Sequence, residues 1–157
     1  MKQLVVLLFS IFLFSCGTSK TVRTSKKVIK GNWILNQVTY DEPGTYKISL
    51  LNDASKECFE GSTWQFIPNN NTGIYAINND NCTSTGDRHF IFTIQEIDEN
   101  TGLYDFLLKP TDAKKKSQTN TGFRLNLTQL SETSMVWKQV VNVDGKPFTI
   151  NMIFSKQ

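Results

Sequence analysis

From position 31 onward, apolar and polar residues alternate with period two in short runs, each run closed by Gly, Asn or Asp. Phe148, Ile150, Met152 and Phe154 alternate with Thr149, Asn151 and Ser155; Phe123, Leu125 and Leu127 alternate with Arg124, Asn126 and Thr128; Trp64 and Phe66 alternate with Thr63 and Gln65. One apolar and one wet face per run is the signature of antiparallel strands. The pattern predicts strands at Gly31–Tyr40, Ser62–Ile67, Gly73–Asn78, Arg88–Ile97, Leu103–Lys109, Gly122–Leu130, Ser134–Val141 and Pro147–Ser155. Turn chemistry separates them, including Pro68-Asn69-Asn70-Asn71, Asn78-Asn79-Asp80-Asn81, Asp98–Gly102 and a hairpin tip at Asp144-Gly145. Only Leu50–Glu60 reads as a short helical turn. Eight consecutive strands with short connections can close into an all-β, antiparallel up-and-down barrel, which leaves no open edge. The interior of such a barrel is either filled by side chains or holds one small ligand, and the alternation alone does not choose.

The first sixteen residues follow a different pattern. Lys2 precedes an apolar run over Leu4–Phe14, and Leu13-Phe14-Ser15-Cys16 follows. A basic start, a short apolar core and a small residue at the cut describe a secretory signal. The run is shorter than the ~20 residues a spanning helix needs. Its last four residues resemble the bacterial lipobox. That resemblance implies a signal peptide over 1–15 and a lipoprotein acylated at Cys16 by diacylglycerol and a further palmitate-type chain. A plain signal peptide cut elsewhere is the alternative.

Splitting the charge changes what it means. The net charge of +3 for the 157 residues is concentrated early: Lys20, Arg23, Lys26, Lys27 and Lys30 share residues 16–30 with no acid. That Ser/Thr/Lys-rich segment lacks aromatics, and it is expected to be a lipidated flexible linker held near an anionic surface. From Gly31 on, eleven basic residues meet fourteen acidic ones, so the domain is −3. A mildly acidic domain excludes a nucleic-acid partner, and Lys114-Lys115-Lys116 is explained by a solvated loop.

With Cys16 acylated, Cys58 and Cys82 remain as an even pair in an exported chain, where disulfides persist. A Cys58–Cys82 bridge is expected, with two buried free thiols as the alternative. No other Cys and one His, His89, leave too few ligands for a metal site, and no cofactor is expected.

Gly31-Asn32-Trp33 opens the first strand, Cys58–Phe66 follows, then Gly73-Ile74-Tyr75 and Cys82. Together these resemble the lipocalin-like lipoproteins of Bacteroidetes-type bacteria, over essentially all of residues 31–157. The resemblance implies a lipocalin-like β-barrel in which Trp33 closes one end. Other lipocalins pair that Trp with a late Arg. Here the last strand offers only Lys156, and Arg124 lies a strand pair earlier, so no stacking partner is assigned. The same resemblance implies an outer-membrane anchor. Gly17-Thr18-Ser19-Lys20 lacks the acids of a surface-export tag, which favours the periplasm-facing leaflet of the cell envelope.

No enzyme is expected. No Gly-x-Ser-x-Gly elbow surrounds any serine, His89 falls on the strand face opposite Phe90 and Phe92, and Glu96, Asp98 and Glu99 cluster at a turn where solvation suffices. Asn78–Asn81 lacks calcium-loop spacing. Ligand binding is the leading expectation, with Trp64, Phe66, Tyr75, Phe90, Phe92, Phe106 and Phe123 as the candidate lining for a small apolar or amphipathic ligand. The alternative is an envelope structural or interaction lipoprotein with a filled barrel and a protein partner on its surface.

Overall fold

The structure is a computed structural model and describes residues 20–157. The signal segment and the expected acylation site, Cys16, lie outside the described residues. Eight strands close one antiparallel barrel: β1 (Gly31–Tyr40), β4 (Thr63–Ile67), β5 (Thr72–Ile77), β6 (Gly86–Ile97), β7 (Tyr104–Thr111), β8 (Phe123–Leu130), β9 (Ser134–Val143) and β10 (Lys146–Lys156). Each pairs with its successor, and β1 closes the ring between β4 and β10. The expected all-β up-and-down barrel is what forms, with every strand within two residues of its expected bounds. The hairpin at Asp144-Gly145 has positive φ at both residues (51° and 79°), as a two-residue turn between twisted strands requires.

One end, the base, is sealed by a helix. Residues 16–30 were expected to be a flexible linker; instead α1 (Lys20–Ile29) lies across the base. Its inward face is Thr21, Ser25, Val28 and Ile29, spaced i, i+4, i+7 and i+8, with Ser25, Val28 and Ile29 buried. Ser25 Oγ donates to Gly102 O at 2.5 Å, and Trp33 Nε1 donates to Ile29 O at 2.9 Å. Too little apolar surface exists for this helix to stand alone, so docking on the barrel supplies its stability.

The opposite end, the rim, is covered by the β1–β4 connection. It folds into a miniature hairpin, β2 (Ser49–Leu50) with β3 (Ala54–Ser55), and a single helical turn, α2 (Lys56–Phe59). Leu51 and Asn52 both adopt left-handed backbone (φ 51° and 55°), and Asp53 N bonds Leu50 O at 2.9 Å. A leucine there is strained. Burial of Leu50, Leu51 and Phe59 against the core holds it in place.

Candidate functional site

Inside the barrel, side chains from facing strands meet. Trp137 on β9 touches Trp64 and Phe66 of β4 at 5.3 Å between ring centroids, Phe106 of β7 at 4.9 Å and Phe154 of β10 at 4.4 Å. Mostly edge-on contacts of this kind are each worth about 0.5–1.5 kcal/mol beyond area burial. Six of the seven aromatics expected to line the interior point inward and are at most about 1 % exposed: Trp64, Phe66, Tyr75, Phe90, Phe92 and Phe106. Ring contacts run from Phe59 through Tyr75, Trp64, Phe66 and Phe92 to Phe106, stacked at Tyr75–Trp64 and Trp64–Phe66 and tilted or edge-on elsewhere, with Phe90 against Trp64, Phe66 and Phe92. Phe123 is only half-buried and packs against the edge of this cluster. Trp137, and Phe154 from the apolar face expected for the last strand, stand outside the expected lining yet bind these rings across the axis.

Close packing reaches the backbone at Gly73. A Cβ there would overlap the Phe90 ring and the Gln65 carbonyl, so only glycine lets that ring approach β5 so closely.

The lid over the rim is fastened by polar and covalent links. Cys58 and Cys82 are bridged, joining α2 to the β5–β6 loop. Asp53 Oδ2 accepts from Tyr75 Oη at 2.8 Å and from Arg88 Nε at 3.0 Å, while Arg88 also donates to Gly86 O and Ser84 O. Burial, and then the Asp53 carboxylate, push the Tyr75 phenol well above its ordinary value. Tyr75 therefore spans both environments, its ring in the apolar stack and its hydroxyl in the lid's ion pair. Glu60 Oε1 accepts from the amide of Val38 at 2.8 Å, on the stretch of β1 beyond its pairing with β4, and so satisfies a strand amide.

Beside the lid lies a cleft of about 530 Å³ whose walls include Tyr46, Lys47, Ile48, Ser49, Lys56 and Glu57. Tyr46, in its wall, packs with Tyr40 and Phe148 in a triangle of rings with centroids 4.6–5.3 Å apart. Lys56 Nζ stands 5.7 Å over the Tyr40 ring and 3.7 Å from Glu60 Oε1. Burial, followed by Glu57 and Glu60, raises the Tyr40 phenol. Apolar floor and charged rim together suit an amphipathic molecule, and the volume falls in the usual ligand range. A second groove of similar volume lies on the outer wall near Asp98, Asp105 and Asn126. Its acids are committed internally, Asp105 to Asn126 at 2.6 Å and Asp98 to the amides of Asn100 and Thr101.

His89 pairs with Ile74 and Thr111 on the outer face and is half-buried. Among the described residues no three His, Cys, Asp or Glu side chains gather to hold a metal, and no helix is long and apolar enough to cross a membrane. No protein-family model matches the sequence, and no curated protein is found to be similar to it.

Proposed function

We propose that this chain is a non-enzymatic, lipocalin-like envelope lipoprotein. It is anchored through acylated Cys16 at the periplasm-facing outer-membrane leaflet, and it takes a small amphipathic ligand at the rim of its barrel rather than along the axis. The cleft beside the lid carries this reading: about 530 Å³, floored by Tyr46 over the Tyr40–Phe148 pair and edged by Lys47, Lys56 and Glu57. The filled axis argues against a deep ligand, because Trp137 occupies the space that a retained apolar molecule would need. An apolar tail over Tyr46 and Ile48 with a polar head between the lysines and Glu57 is the arrangement the lining favours.

A second reading, an interaction lipoprotein with the barrel as scaffold, is supported by the same filled axis and by Leu107, Val140 and Val143 on the outside, of which Val140 is 56 % exposed. One experiment separates the two. A dansylated fatty acid is titrated into the full chain, beside an Ile48→Asp variant whose near-UV circular dichroism matches the parent. Saturable uptake by the parent, reduced tenfold or more in the variant, supports rim binding. No uptake by the parent, with a clean apo mass in native mass spectrometry, rejects it and leaves the scaffold reading.

A further inference from the structure

Helix α1 segregates its charges more sharply than the sequence suggests. At about 100° of turn per residue, Lys20, Arg23, Lys26 and Lys27 fall within an arc of about 120°, and Lys30 follows directly after the last helical residue. That arc is centred almost opposite the buried side formed by Thr21, Ser25, Val28 and Ile29. All five cations are exposed. The helix has no acid in its first turn, where Lys20 and Arg23 stand against its dipole, whereas Lys26 and Lys27 in its last turn complement it. Among the described side chains, the acids of the turns across the base are Asp98 and Glu99 between β6 and β7 and Glu132 between β8 and β9. Asp98 is already bonded to Asn100 and Thr101.

Two further facts fix where this face is held. Position 16 precedes Lys20 by four residues, so even fully extended chain separates them by at most about 14 Å. The part of the chain from Gly31 on is net −3, so an anionic surface repels the barrel and attracts α1. Both terms turn the molecule the same way. They act over about one Debye length, 8–10 Å, which the short connection does not exceed by much.

We infer that the outer face of α1 docks on anionic lipid headgroups of the anchoring membrane, setting the barrel base-down with its lid facing away. This rests on the anchor reading above. The strands, tilted as barrel strands are, would then lift the rim cleft about 25 Å from the surface.

The test uses the full chain, produced with lipoprotein processing and reconstituted in vesicles. A fluorophore is attached at Thr24→Cys on α1 or at Asn142→Cys near the rim. The Cys58–Cys82 bridge and acylated Cys16 leave only the introduced thiol reactive. Quenching by spin-labelled lipid is compared in vesicles of phosphatidylcholine alone and with 30 % phosphatidylglycerol. The expected result in anionic vesicles is at least threefold stronger quenching at position 24 than at 142. That ratio should fall towards one in phosphatidylcholine alone, in 0.5 M salt, and in Lys26→Glu/Lys27→Glu. Equal quenching at both positions in every vesicle overturns the inference. So does a base-directed bias that ignores salt and lipid charge, since the tether alone would then account for it. The mass of the Cys16 peptide is measured separately. An unmodified Cys16 rejects the anchor, and because its thiol would then take the label too, both labelled variants are also made with Cys16→Ser; in that background the labels still report whether α1 meets anionic lipid, so the two readings fail independently.

Discussion

Lys156 holds its ammonium 5.1 Å from the centre of the Trp33 indole and donates from Nζ to Val28 O at 2.6 Å. The indole Nε1 meanwhile donates to Ile29 O at 2.9 Å. Two consecutive carbonyls at the end of α1 are thus satisfied by a tryptophan from the first barrel strand and a lysine from the last. The cation also sits where the helix dipole is negative. Lys156 is thus the stacking partner of Trp33 that the sequence left unassigned.

Replacing Lys156 with Met should therefore cost about 2 kcal/mol, combining a partly shielded cation–π contact with a charged hydrogen bond. Lys156→Arg should recover more than half. Urea unfolding gives the magnitude. Hydrogen exchange locates the effect, with amides of 20–29 in Lys156→Met exchanging faster than the strand amides. An unchanged exchange pattern would mean that α1 is held by Ile29 and Ser25 alone.

The Cys58–Cys82 bridge spans a sequence separation of 24. In the chain-entropy description a loop of that size stabilises by about 3 kcal/mol. Cys58→Ala/Cys82→Ala should lose that amount in denaturant midpoint while keeping the barrel's far-UV spectrum. The proteolytic nicks that follow should fall in residues 41–62, the lid that the bridge fastens, and peptide mapping checks this.

Trp137→Ala should cost about 3–5 kcal/mol, because four aromatic neighbours lose their shared partner and cannot all collapse into the gap. If the variant folds, indole added in excess should raise its Tm and leave the parent unmoved. A parent that responds equally to indole would show that the axis is already hollow.

Tyr75 and Tyr104 are both buried, and burial raises both phenols in the native state. The sign follows from proton counts. Above about pH 10 the unfolded chain releases phenolic protons that the native state retains. It then binds fewer protons, and stability falls as pH rises. This contribution is fully present below pH 10. Absorbance at 295 nm should show the Tyr75 and Tyr104 phenolates appearing together with loss of near-UV dichroism. Tyr75→Phe should flatten the alkaline limb of stability. Ionisation of Tyr75 near pH 10 in an intact barrel would contradict the burial assigned here.

Strand positions were legible because a one-sided sheet imposes period two and its turns need Asn, Asp and Gly. Both constraints are local. Helix α1 was not legible, since only Val28 and Ile29 mark its apolar side with any strength, and Ser25 is buried through a hydrogen bond to Gly102, far off in sequence. Trp137 escaped notice for a related reason. Gln139 follows it on the same inward face and is itself buried, so the apolar alternation Met135–Trp137 breaks off where the barrel does not. The inward aromatics could be named, but whether they left room between them depended on distances across the axis, which no single strand encodes. The rim cleft was missed because its walls come from an irregular connection with no period to read.

Closure of the ring sets a timetable. Asn36 and Ser155 are 119 positions apart and hydrogen-bonded side by side, and β1 has only four residues paired to β4 on its other flank. Until β10 has emerged, β1 keeps most of its ladder groups unsatisfied. In a chain synthesised from its N-terminus, β2 to β9 therefore arrive while the first strand waits, and long-range pairing of this kind is slow to form. The vulnerable interval of this protein's life is the one before its last strand arrives, when a holding chaperone would have the most to protect.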